Sequence, residues 1–206
     1  IATLPQSQPA NYFASHFPGY SILINVSAPA FGYLKSMLFI SLLSTILASW
    51  AFYKLVKDFK LTEHPLFLSL VFLILPARWV IVHSVGSSEP LFILLIILSI
   101  YFFMKYESTQ KLSFLFLTAV SGAAAQLTRP PGILLFFALV LFVIFKMLKT
   151  SKLHLQYFSL ILIPFSLMVV FYLYQQNLGD FWAYFHSGDN IHLTAPPFQV
   201  FNKDQF

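Results

Sequence analysis

Six stretches of the chain run apolar for fifteen residues or more, and the polar positions collect in short clusters between them. The first, 34–53, carries one charge, Lys35, near its end. Its twenty residues, at ~1.5 Å each, cover the ~30 Å hydrocarbon core of a bilayer and predict a membrane-spanning helix. The second, 65–83, opens on Pro65, which suits a first helical turn, but carries Pro76 and Arg78 late in its length. That helix is expected to kink or end near Leu75. A shorter span follows at 90–104, then 112–127, where Gly122, Ala123, Ala124 and Ala125 favour close helix packing. Stretches 132–148 and 155–174, the last containing Pro164, complete the six.

The flanks follow a different pattern. Residues 1–15 hold Pro5, Pro9 and several side-chain amides without helical period, and predict a loop outside the hydrocarbon. Residues 16–31 are more apolar but are interrupted by Pro18, Gly19 and Pro29, which predicts a short interfacial or re-entrant helix. The plan is an outer loop and interfacial segment over 1–33, a transmembrane helical core over 34–174, and an outer aromatic and polar tail over 175–206.

Composition turns this pattern into a class. Hydrophobic residues make up 58% of the chain, charged residues only 9%, and the mean hydropathy is +0.78. A soluble domain carries about 25% charged residues, so the reading is an all-α, polytopic membrane bundle of about six spans. The net charge of +5 comes from lysines set between apolar runs, not from a basic face on a soluble fold, and nucleic acid is excluded as a partner. Without cysteine there are no disulfides or thiolate metal sites. The first eleven residues lack both a basic region and an apolar core, so they are not a signal peptide. The start at Ile1 leads us to expect a preceding N-terminal portion.

The lysines also orient the chain. Lys54, Lys57 and Lys60 follow the first span, Lys105 and Lys111 the third, and Lys146, Lys149 and Lys152 the fifth, together eight of the twelve basic residues. Basic loops face the cytoplasm. The turns 84–89 and 128–131 and both chain ends then lie outside, which puts His16, His83, Glu89 and Arg129 on one face.

The candidate chemistry sits in these outer interruptions. In Ser84-Val85-Gly86-Ser87-Ser88-Glu89-Pro90, Glu89 is the only acidic residue between Glu63 and Glu107. With Pro90 at the first helical position, Glu89 or Ser88 would cap the third span, whose positive end favours a carboxylate. An ionisable group at membrane depth costs ~2.5–3.5 kcal/mol and is also a site candidate by default, so Glu89 is the candidate catalytic residue. Arg129 stands in Leu127-Thr128-Arg129-Pro130-Pro131-Gly132. It either snorkels to the headgroups or, held by two prolines, offers its planar fork to a phosphate. Arg78 has the same two readings with less constraint. His16, before Phe17-Pro18-Gly19, and His83, beside the first turn, are ordinary interfacial histidines or substrate contacts. No His-x-x-x-His pair or paired acids give metal-ligand spacing. In the tail, Asp180 and Asp189 read as solvated. Phe181, Trp182, Tyr184 and Phe185 read as an interfacial belt or a cover over a lipid-linked substrate.

At these motifs the chain resembles the polytopic GT-C glycosyltransferases, and within them the second mannosyltransferase of GPI-anchor synthesis and its prokaryotic relatives. The resembling pieces are His16-Phe17-Pro18-Gly19-Tyr20, Gly86-Ser87-Ser88-Glu89-Pro90-Leu91-Phe92 and Thr128-Arg129-Pro130-Pro131-Gly132, in matching order and spacing. The resemblance implies a polyprenyl-phosphate-linked sugar as donor, with no further cofactor certain. It also implies a hydroxyl acceptor on a glycan, lipid or protein, and transfer on the non-cytoplasmic face. The membrane would be the plasma membrane of a prokaryote or the endoplasmic reticulum of a eukaryote. The family further implies an acidic residue in the first outer loop, yet no Asp or Glu precedes Asp58. Either that acid lies upstream of Ile1 or Glu89 has a larger role.

The expected activity is hexose transfer, with mannose the expected sugar, and with Arg129, His16, His83 and Arg78 as substrate contacts. A rival reading is a transporter or flippase for a lipid-linked or anionic substrate, which broken helices and intramembrane charges also fit. No repeat of the Glu89 or Arg129 segment accompanies it. A non-catalytic assembly subunit is a third reading.

Overall fold

The computed structural model describes residues 14–74, 81–82, 84–150 and 155–187, and among these the regular structure is entirely helical. The order is α1 (Pro18–Phe31), α2 (Tyr33–Asp58), α3 (Pro65–Ile74), α4 (Glu89–Thr109), α5 (Leu112–Thr128), α6 (Ile133–Thr150), α7 (Leu162–Leu178) and a short α8 (Ala183–His186). Single 3-10 segments, Pro130–Gly132 and Leu155–Ile161, lead into α6 and α7. This is the all-α polytopic class read from the sequence.

Four segments, Tyr33–Asp58, Glu89–Thr109, Pro130–Lys149 and Leu155–Leu178, are long and apolar enough to cross a membrane, and Pro65–Ile74 and Leu112–Thr128 are shorter apolar helices. Much of their surface is bare apolar side chain, including Leu66, Phe67, Phe137, Phe145 and Leu148. Faces of this kind need lipid or protein to cover them.

Element boundaries shift from the sequence pattern for local reasons. α4 begins on Glu89 and runs to Thr109, beyond 90–104, where Gln110 ends it in the left-handed region at φ 56°. Pro29 lies inside α1 and does not end it. Pro164 falls in the first turn of α7, where the 3-10 segment passes into the α-helix, and does not end it. The break expected near Leu75, with Arg78 and His83, lies outside the described residues.

The chain divides into two compact units, 18–167 and a smaller one made of 1–17 with 168–206. In the larger unit α4 packs between α2 and α5. The buried face of α2 is small and hydroxylated, with Ser41, Ser44, Thr45, Ala48 and Ala51. Thr45 donates its hydroxyl proton back to the Ser41 carbonyl at 2.9 Å, so that hydroxyl is satisfied within the helix. On α5, Ala119, Ala123 and Ala125 are buried, and Ser99 of α4 donates to the Thr118 carbonyl at 2.9 Å. These are the close contacts that the small residues of 112–127 predict.

The C-terminal end of α4 is tied on two sides, each time by a carboxylate, a lysine and a tyrosine. Asp58 pairs with Lys105 at 2.9 Å and accepts from Tyr101 at 2.8 Å. Glu107 pairs with Lys146 at 2.5 Å and accepts from Tyr157, whose hydroxyl also accepts from Lys146 at 3.0 Å. Tyr157 and Leu160 of the 3-10 segment join Phe103, Tyr106, Leu115 and Leu139 in the main apolar core.

In the smaller unit, Phe171, Phe181, Trp182 and Phe185 form an aromatic cluster. Phe17 packs edge-on against Tyr184. Tyr174 donates to the Ala14 carbonyl at 2.7 Å.

Candidate functional site

The site is built around the end of α5. A residue before proline is pushed out of the helical region, so Arg129, followed by Pro130, terminates the helix with φ −149° and ψ 142°. Its N–H still bonds the Ala125 carbonyl at 3.0 Å. The Pro130–Gly132 turn then folds the chain back over the last turn of α5. A Cβ on Gly132 would sit 2.6 Å from Gln126 Cα, so this approach requires glycine. Arg129 is thereby fixed at a corner between two helices.

Facing it is the start of α4. Glu89 is the first residue of that helix, and its N–H is taken by Ser87 Oγ at 3.2 Å. Ser88, at the cap position, makes no side-chain cap bond. Pro90 is thus the second helical residue and not the first, and the capping bond comes from Ser87. The Glu89 carboxylate is directed elsewhere: Oε1 lies 2.7 Å from Arg129 Nη1, with the two side chains 19% and 33% exposed.

The third motif holds this corner in place. α1 starts where α5 ends, bringing a positive helix end to a negative one. A Cβ on Gly19 would meet the Leu127 carbonyl oxygen at 2.7 Å. The next residue, Tyr20, donates to the Met37 carbonyl at 2.9 Å and lies 3.0 Å from Ser41 Oγ. Ser41 in turn donates to the Ser87 carbonyl at 2.9 Å and accepts from the Ser87 N–H at 3.0 Å. A continuous set of contacts runs from the end of α5 through Gly19, Tyr20 and Ser41 to the residue that holds Glu89.

Of the five residues singled out by sequence, the structure joins Glu89 and Arg129 directly. His16 belongs to the smaller unit, where its Nδ1 lies 3.0 Å from Ser15 Oγ. Arg78 and His83 lie outside the described residues. Asp180, read as solvated, is partly exposed at the surface, and there it pairs with His186 at 2.7 Å and accepts from the Trp182 N–H at 2.8 Å. Asp189 also lies outside the described residues. The His186 and Trp182 contacts hold the Asp180 carboxyl below its ordinary pKa, the His186 hydrogen bond being the larger cause.

Sequence reasoning passed over Ser41 and Gln126. A serine in an apolar span carries no distinguishing signal, since its hydroxyl ordinarily bonds its own helix. Gln126 did carry one: it is a large amide in a row of alanines, it is fully buried, and neither Nε2 nor Oε1 has a hydrogen-bond partner among the described residues.

Comparison with known families decides the class. A family model described as dolichyl-phosphate-mannose-protein mannosyltransferase matches residues 15–171. The chain belongs to this family. The match covers about three quarters of the 206 residues and includes Glu89, Arg129 and the whole Gly19–Tyr20–Ser41–Ser87 chain of contacts. No curated protein and no solved structure matches. The dolichyl-phosphate-mannose-protein mannosyltransferase family lies within the GT-C superfamily that the three motifs resemble, and its members are membrane glycosyltransferases.

Proposed function

We propose that this chain transfers mannose from a polyprenyl-phosphate carrier to a hydroxyl acceptor on the non-cytoplasmic face of a membrane that it crosses several times. The observation that carries the reading is the Glu89–Arg129 pair, set at a rigid helix corner in a family named for a lipid-phosphate mannose donor.

In the reaction, the acceptor oxygen attacks the anomeric carbon as the bond from that carbon to the phosphate oxygen breaks. The bonding pair leaves with polyprenyl phosphate, and the acceptor proton passes to a base. Negative charge grows on the phosphate, and a fixed guanidinium aimed there stabilises it more than it does the bound donor. Glu89 occupies that fork in the absence of donor. Exchange of its carboxylate for the phosphate trades one anion for another on Arg129 and frees Glu89 to orient sugar hydroxyls or receive the proton. The acceptor is a glycan, lipid or protein hydroxyl. The motif likeness to the second GPI mannosyltransferase favours a glycolipid, and the family's description favours a protein. The membrane is the plasma membrane of a prokaryote or the endoplasmic reticulum of a eukaryote.

The test is transfer from polyprenyl-phosphate mannose carrying labelled sugar in proteoliposomes, with release of polyprenyl phosphate measured alongside. The wild type transfers label, and Arg129→Gln lowers kcat/KM about 100-fold or more, the scale seen when one transition-state donor is removed. Movement of the labelled lipid between leaflets without sugar transfer would establish the flippase reading instead.

A further inference from the structure

Gln126 is fully buried in the last turn of α5, and neither its amide nitrogen nor its carbonyl oxygen is paired among the described residues. Buried side-chain polar groups are nearly always matched. An apolar residue of the same length would fill this space without the cost of stripping an amide of water. Stability therefore gives no reason for glutamine here. Its backbone is held rigidly, because Gly132 of the turn lies directly on Gln126 Cα and N.

Position supplies the reason. Gln126 lies in the last turn of α5, three residues before Arg129 and directly under Gly132 of the turn that follows it. The donor's sugar is bonded directly to the phosphate that Arg129 would hold. A polar side chain in the last helical turn before Arg129 is therefore a candidate to meet that sugar. The carboxamide offers two N–H donors and a carbonyl acceptor, the set that matches neighbouring sugar hydroxyls.

We infer that Gln126 is a specificity-determining group of the donor site, hydrogen-bonding the mannosyl hydroxyls once Arg129 has left Glu89 for the phosphate. This rests on the donor reading above, and it separates the two halves of the donor: Arg129 reads the phosphate and Gln126 the sugar.

The experiment measures binding of polyprenyl-phosphate mannose and of polyprenyl phosphate to the full chain in nanodiscs, with melting temperatures recorded for each variant. Gln126→Met, close in length and apolar, is expected to melt no lower than wild type. It should bind polyprenyl-phosphate mannose about tenfold more weakly, as loss of a buried hydrogen-bonding group predicts, and polyprenyl phosphate unchanged. Gln126→Asn, which keeps the amide but shortens its reach, is expected to show the same selective loss. Arg129→Gln should weaken both lipids. If wild type binds both lipids and the Gln126 variants match it, or lose both equally, the sugar-reading role is overturned and the donor reading stands. If wild type binds neither lipid, the donor reading falls and takes this inference with it.

Discussion

Glu89 Oε1 and Arg129 Nη1 are 2.7 Å apart, joining the first residue of one apolar helix to the residue that ends the next. The pair is partly shielded, so each charge depends on the other more than exposed ions do. It also distinguishes capping from recognition at Glu89. A cap role would tolerate Asp or Ser equally, whereas the ion pair needs a carboxylate with the reach of Glu. Glu89→Ser is expected to lose most mannosyl transfer, and Glu89→Asp to retain part of it. Full activity in both variants would reduce Glu89 to a cap.

Arg129→Lys keeps the charge and loses the planar fork. If the guanidinium holds phosphate through two N–H groups, turnover falls about tenfold or more although the protein folds normally. Steady-state kinetics with saturating donor measures this, and unchanged kcat argues against two-point phosphate contact.

The Tyr20–Ser41–Ser87 contacts hold the turn that presents Glu89. Ser41→Ala removes both bonds to Ser87 and is expected to cost about 1–3 kcal/mol. Hydrogen exchange should rise at residues 84–89 more than in α2. Uniform exchange across the chain would show that the serine stabilises the bundle generally and not the turn.

Gly19→Ala places a methyl group 2.7 Å from the Leu127 carbonyl oxygen, and backbone cannot yield as a flexible side chain does. Overpacking of this kind costs about 1–3 kcal/mol. Because Arg129 follows two residues later, transfer activity is expected to fall further than stability alone predicts, visible as reduced kcat/KM at a temperature where the variant remains folded.

At the opposite end of α4, Tyr157→Phe breaks the bonds to Glu107 and Lys146 while the ring keeps its place in the core. Hydrogen bonds to charged groups contribute about 1.5–3 kcal/mol each. The melting temperature should drop, with activity per folded molecule unchanged because the site is at the other end of the helix.

In the tail, Asp180 has its pKa lowered by His186 and by the Trp182 N–H. A lowered carboxylate pKa means that the stabilisation is present above the unfolded value of about 3.9 and is lost as pH falls through the lower folded value. Trp182, packed among Phe171, Phe181 and Phe185, reports this region. Its fluorescence should change as acid is added below about pH 4, and Asp180→Asn should show the acid-side signal already at neutral pH.

The six apolar stretches identified the helices because in hydrocarbon each backbone N–H and C=O must be satisfied within its own segment, so length and apolarity alone specify a helix. Their ends were legible where covalent geometry dictates them, as at Arg129 before Pro130. Glu89 was visible as a lone carboxylate in apolar surroundings. Its partner was not, and neither was the role of Ser87 in place of Ser88, because a cap bond depends on local dihedral angles that composition does not report. Ser41 looked like any intrahelical serine, and only the packing of α2 against the turn before α4 turned it outward to Ser87.

By itself, the sequence determined an all-α membrane chain, its helical segments and the three motifs that resemble GT-C enzymes. Only the tertiary structure decided that Gly19 approaches the end of α5, that Arg129 meets Glu89 forty positions away, and that Gln126 is buried without a partner. The physical reason is that helix formation in a membrane is local, whereas the meeting of polar groups depends on which small residues let two helices approach, a property of pairs of surfaces that no single periodicity encodes.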